Sequence, residues 1–352
     1  MAKSTASLRL RSRHAGFSLV ELMIAIVIGL FLMAGVAALI SQQSSTRTEL
    51  DKSARQIENG RYAFTLLEDD IQHAGYYGQF GGTFAALSAL PDPCAIDTTS
   101  IGNAFALPMQ GYDAPATVPA PLSACLPNAN HVAGTDILVV RRLETSDTLP
   151  TLATAVAGQV YVQTTPTGTP VTAVGPDPTP ATPSVYTLVQ NDGVTPAALR
   201  RYIEHIYFIS PCNILAAGAT TCTAGADGGK PVPTLKRLEI AVAGGTSSWV
   251  TTPLVDGIEN LQLDYGVDAV GAGAPAVPFI TTPALADWPN VMAVQVNLLA
   301  RNTQVSAFVD STLAAKTYSM GVAGSVGPFS DNFKRHVYTG VVRVINPSSR
   351  RE

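Results

Sequence analysis

The strongest constraint on this chain lies near its N-terminus. Leu22 to Ile40 is an unbroken run of 19 residues with no charged side chain. As an α-helix it would measure about 28 Å, close to the ~30 Å hydrocarbon thickness of a bilayer. No later stretch is both long and apolar enough to span. Lys3, Arg9, Arg11 and Arg13 precede the run, and residues 1–16 contain no acid. That +4 block is expected to keep its end in the cytoplasm and send the rest outward, as a single-pass protein of the inner membrane. Residues 17–352 hold 18 basic and 26 acidic side chains, so the net charge of −4 averages two unlike parts. Only 14% of the residues are charged, against about 25% in ordinary soluble domains. Neither charge-driven disorder nor an excess of Lys and Arg for nucleic acid fits this composition.

A plain anchor, a secretory signal cut near Gly35-Val36-Ala37, and a processed leader compete for this segment. The first two leave Gly16 and Glu21 unexplained. A carboxylate beside a membrane span costs up to about 3 kcal/mol at mid-bilayer and less near the edge, so it calls for a partner. Cleavage between Gly16 and Phe17 would create an α-ammonium one helical turn before Glu21. The pattern basic leader, Gly16, Phe17-Ser-Leu-Val-Glu21, apolar run resembles the class III signal of type IV prepilins and pseudopilins. The resemblance implies a prepilin peptidase that cuts after Gly16 and N-methylates Phe17. It also implies that Glu21 is the assembly glutamate.

From Ser41 the sequence reads as an amphipathic helix. Leu50, Ile57, Phe64 and Ile71 recur every seven residues, joined by Ala54 and Leu67, a stripe expected to pack on the protein's own sheet. Gly60 is a weak point of about 1 kcal/mol relative to Ala. Gly75 and Gly78 stop the helix. Asp69 and Asp70 stand at its unfavourable C-terminal end and read as solvated surface or as partners for another subunit. The element Asp70-Ile-Gln-His-Ala-Gly-Tyr-Tyr-Gly78 is similar to the end of the helix in PilW-type minor pilins. Three later segments extend that resemblance: 254–266, 288–302 and 335–346.

Beyond residue 80, strands are expected at Ile137–Leu143, Gln159–Thr164, Tyr202–Ile209, Lys236–Val242, Leu261–Tyr265, Val291–Arg301 and Val337–Ile345. Thr165–Pro183 is too rich in Pro and Thr for regular structure and reads as a loop. The expected fold is α+β and pilin-like: a long N-terminal helix on antiparallel sheet with large loop insertions. Its parts are a cleaved leader (1–16), a helix (17–75, with 17–40 in the membrane or pilus core) and a β-rich head (76–352).

Four cysteines, Cys94, Cys125, Cys212 and Cys222, allow three connectivities. Cys94–Cys125 and Cys212–Cys222 are favoured because each closes a Gly-, Ala- or Pro-rich loop. The chain has no C-x-x-C pair, H-E-x-x-H or G-x-S-x-G. Gly225–Pro231 imitates a P-loop, but Pro231 replaces the Ser or Thr that would hold magnesium. Asp256, Glu259, Asp264 and Asp268 miss calcium-loop spacing. No catalytic residue, metal or cofactor is expected, and the chain reads as an enzyme's substrate.

The resemblance implies a type IV pilus minor pilin that helps prime assembly near the tip and ends outside the cell in the pilus. Its partners would be prepilin peptidase, other minor pilins, the major pilin, an adhesin-like tip protein and the inner membrane. No nucleic-acid partner is inferred. The rival readings are a minor pseudopilin of a type II secretion system and, from another class, a signal-anchored periplasmic enzyme or binding protein.

Overall fold

A computed structural model describes residues 16–146, 148–150, 154–166, 170–174, 185–271, 273–306 and 315–349. All of the leader (1–16) but Gly16, and most of the Pro/Thr-rich stretch, lie outside these residues. Helix α1 runs over Leu19–His73. The chain divides into two units, Met1–Asp51 and Lys52–Glu352, so the last 22 residues of α1 belong to the head.

In the head, strands β1 (Met109–Tyr112), β2 (Ile137–Leu143), β3 (Val160–Gln163), β4 (Val171–Val174), β5 (Leu199–Ser210), β6 (Thr234–Ala243) and β7 (Thr246–Asp256) make one antiparallel sheet. The twelve-residue β5 is its hub, pairing with β2, β6 and, through its first residues, β3. A second sheet contains β8 (Ile258–Val267), β9 (Val291–Arg301) and β12 (Arg335–Arg343), with β9 in the centre. A small pair, β10 (Tyr318–Ser319) and β11 (Ser325–Val326), precedes β12. Short helices α2 (Thr98–Ala104) and α3 (Ile345–Ser349) complete the head. The architecture is the α+β, pilin-like one expected. Five strands fall outside those expected: the short β1, β10 and β11, of four residues or fewer, β7, whose Thr/Ser-rich run lacks apolar alternation, and β4, which lies inside the stretch read as a loop. Val171–Val174 is extended because β3 supplies its hydrogen-bonding partner.

The main core forms where both sheets meet the last turns of α1. Ala63, Leu67 and Ile71 of the helix, with Ala74 just past its end, pack with Leu138, Tyr207, Leu263, Val296 and Leu298. The heptad stripe needs correction. Leu67 and Ile71 are buried, but Leu50, Ala54 and Ile57 are exposed. A straight helix drifts about 20° per heptad from a seven-residue repeat, and the buried face is instead Gln56, Gly60, Ala63, Leu67 and Ile71.

This face explains Gly60. A β-carbon there would overlap the Tyr338 ring, while one on Gly340 would overlap the Phe64 ring. Helix and β12 thus exchange an aromatic for a glycine twice. Gln56 adds polar fastening: its Nε2 donates to the carbonyls of Ala300 (2.8 Å) and Lys334 (3.1 Å). Gly75, at φ +71°, terminates the helix, and its N–H donates to the Arg141 carbonyl (2.9 Å). The chain then delivers Tyr77 and Phe80 into a second cluster with Phe105 and Tyr202.

Candidate functional site

The sequence-derived site residues fall in separate places. Gly16, Phe17 and Ser18 precede α1, and Ser18 caps it. The Glu21 amide donates to Ser18 Oγ (3.1 Å), while Glu21 Oε2 accepts from the Ser18 amide (2.9 Å). This is a capping box, Ser-x-x-Glu, which satisfies two otherwise orphan amides. The Ser-x-x-Glu spacing is itself a sequence-level signature of a helix start. Glu21 therefore already has a partner within the chain, on the amide next to Phe17.

Beyond Glu21, every large apolar side chain from Leu22 to Ile40 is exposed. Burying a Leu, Ile, Val or Phe side chain is worth about 1.5–3 kcal/mol, so this surface demands a cover from outside its own unit. Among the described residues, α1 is the one helix long and apolar enough to cross a membrane.

The cysteines pair as Cys94–Cys125 and Cys212–Cys222, with Cα separations of 5.5 and 5.8 Å. The first is near Trp249, whose indole N–H donates to the Cys94 carbonyl (2.9 Å). The second borders the P-loop imitation. There, Asp227 accepts from the amides of Asn213, Ile214 and Val232, a loop staple made of protein amides. The acids Asp256, Glu259, Asp264 and Asp268 diverge: Glu259 pairs with Arg335, Asp264 accepts from Asn297, and Asp256 accepts from Thr234. Among the described residues, no three His, Cys, Asp or Glu side chains gather as a metal site.

Asp70 overturns its surface reading. It is buried and accepts from Arg142 Nε (2.7 Å), His205 Nδ1 (2.7 Å) and the Tyr207 hydroxyl (2.9 Å). Burial alone would raise its pKa. The hydrogen bond and charge of His205, with those of Arg142, outweigh burial and hold Asp70 well below the ordinary carboxylate range. One residue along β2, the fully buried Arg141 binds Glu204 (2.9 Å), the Leu107 carbonyl and Gln110. Tyr202 donates to the other Glu204 oxygen (2.7 Å). Asp69 remains on the surface as expected. A signal existed: charged Arg141-Arg142 and Glu204-His205 interrupt strands that are otherwise apolar, and such groups need buried partners. The sequence could not say that α1 supplies one.

These observations describe a prepilin-type helix start and a head clamped to the end of the same helix. The sequence matches two family models: "Prokaryotic N-terminal methylation motif" over residues 11–37, and "Type IV Pilus-assembly protein W" over residues 220–346. These two matches support a PilW-type type IV pilin. No curated protein and no solved structure matches it. The methylation-motif match brackets Gly16, Phe17, the capping box and most of the exposed apolar segment. The PilW match runs from the Cys212–Cys222 loop through β12 and into α3. The three later segments that carried the resemblance converge as β8, β9 and β12, and the Asp70–Gly78 element begins on the helix packed against them. The residues that carry the resemblance in the head therefore meet largely as helix upon three-stranded sheet. Residues 80–135 lie outside both matches and build α2, β1 and the Cys94–Cys125 loop.

Proposed function

We propose that this type IV pilus minor pilin helps prime pilus assembly and resides near the tip. The supporting observation is a prepilin-type start followed by an apolar helical segment whose large side chains are exposed. Prepilin peptidase cuts between Gly16 and Phe17 and N-methylates Phe17. Before cleavage, the N-terminus is cytoplasmic, residues 17–40 span the inner membrane, and the head is outside. Burial of the Phe17–Ile40 surface among the helices of the major and other minor pilins then drives incorporation. A large head is hard to repeat along a thin filament but easy to place once at its end, beside an adhesin-like tip protein. The chain serves as a subunit and substrate, not as an enzyme.

Glu21 has two jobs in this proposal. It completes the capping box, and its charge meets a terminal ammonium during assembly. Three variants separate them. Glu21→Gln keeps an acceptor for the Ser18 amide and removes the charge. Ser18→Ala removes the hydroxyl cap, worth about 1 kcal/mol, and keeps the charge. Glu21→Val removes both. All three should be processed, with N-methyl-Phe17 as the first residue by mass spectrometry. Ser18→Ala should enter pili, whereas Glu21→Gln and Glu21→Val should not. Normal incorporation of Glu21→Gln would overturn the charge assignment. An intact Met1 or an Ala38 start would overturn the prepilin reading itself.

A further inference from the structure

Both sheets end on a long strand, and the two edges are finished differently. β7 carries Pro253, and its pairing shifts register opposite Leu235 and Lys236. Prolines and irregularities are the usual means of stopping an edge from recruiting another strand. β12 has neither. Its nine residues pair with β9 in unbroken register, contain no proline, and include the strand-favouring run Val337-Tyr-Thr. From His336 to Val342, the backbone groups turned away from β9 have no backbone partner among the described residues. Val341 is 59% exposed.

The first half of β12 also runs between two grooves of about 450 Å³, one towards the helix and one on the other side. The helix-side groove is lined by Ile57, Arg61, Lys334 and Tyr338. The other groove is lined by Asn297, Lys316, Tyr318 and Thr339. A strand added to an edge gains affinity from its main chain and specificity from alternate side chains placed in pockets on either face. Arg61 is exposed and has no carboxylate within ion-pair distance among the described residues.

We propose that β12 is a strand-addition site for an extended, acidic segment of another pilus subunit. Its main chain pairs with His336–Val342, an acidic side chain meets Arg61 in the helix-side groove, and its alternate, hydroxyl-bearing side chains face Asn297 and Thr339. Charge argues against a second copy as the occupant. β12 contains no acid and is bounded by Arg335 and Arg343, so a copy of it would bring cations towards Arg61 and Lys334. The pilus subunit as source rests on the minor-pilin reading, but the edge chemistry does not.

The test uses purified full-length chain in detergent, with a disulfide-closed β-hairpin peptide whose free strand alternates Thr and Glu. The control hairpin has Lys for Glu. Amide hydrogen exchange over His336–Val342 should slow at least tenfold with the Glu hairpin. The Lys hairpin should bind at least tenfold more weakly. Arg61→Glu, a change on the surface, should reverse that preference without altering the thermal midpoint. Unchanged exchange, or equal binding of the two hairpins, would overturn the proposal. So would edge amides already protected in the chain alone together with concentration-dependent dimers, since that result assigns the edge to a second copy. These readouts do not depend on piliation, so they can fail while the priming role stands, or the reverse.

Discussion

Asp70→Asn is the sharpest probe of how head and helix are joined. Asparagine has nearly the same shape as aspartate but no charge, and it faces two cationic-type donors and a hydroxyl at 2.7–2.9 Å. Arg142 and Asp70 have side-chain exposures of only 15% and 4%, so solvent cannot replace the lost partner. Breaking one side of a buried ion pair costs about 3–5 kcal/mol, because the remaining charge stays desolvated. The isosteric change retains some hydrogen bonding, so about 2–4 kcal/mol is expected. Replacing Arg142 by Met in the same chain should restore more than half of the loss.

The assay is denaturant unfolding of the full chain, followed by the fluorescence of Trp249 and Trp288. Its pH dependence has a definite sign. The Asp70 pKa is depressed in the fold relative to its ordinary value of 3.8. Its contribution is therefore present above about pH 4 and is lost as pH falls further. Asp136 acts in the opposite sense. Burial raises it to about 7 despite the amides of Ala114 and Leu263, so its contribution declines as pH rises from about 4 to 7. Asp136 is common to both proteins and cancels in their difference. The difference between wild type and Asp70→Asn should shrink as pH falls below about 4. A loss under 1 kcal/mol at pH 7, or a difference that grows as pH falls below 4, would refute the reasoning.

Gln56→Ala should destabilise by about 1–3 kcal/mol, since the Ala300 and Lys334 carbonyls lose a buried donor; the same unfolding assay checks it. Gly340→Ala drives a methyl into the Phe64 ring and should cost about 1–3 kcal/mol, with Phe64→Ala in the same chain relieving part of it. Gly60→Ala should gain nothing, although helix propensity alone favours Ala by about 1 kcal/mol; a clear rise in the unfolding midpoint would contradict the Tyr338 packing. Reducing the Cys94–Cys125 and Cys212–Cys222 links should cost about 2–4 kcal/mol each, and non-reducing peptide mapping should recover those two pairs.

The membrane run, the leader charge, Gly16-Phe17 and Glu21 are local signals. Their meaning depends on spacing within about 25 residues and on the energetics of a bilayer, so they were legible without a fold. The central strands were legible for the same reason: Ile137–Leu143 and Val291–Arg301 announce themselves by apolar content, and the structure keeps both boundaries. The partners of those elements were not legible. Asp70 and Arg142 are separated by 72 positions, and Gln56 and Ala300 by 244. Nothing local to either residue encodes the other. Gly60 shows the difference most plainly, because its sequence neighbours make it a helix defect and Tyr338 makes it a requirement. β4 and the open edge of β12 follow the same rule. Whether a backbone group is satisfied depends on which strand arrives beside it, and that is a property of the assembled sheet.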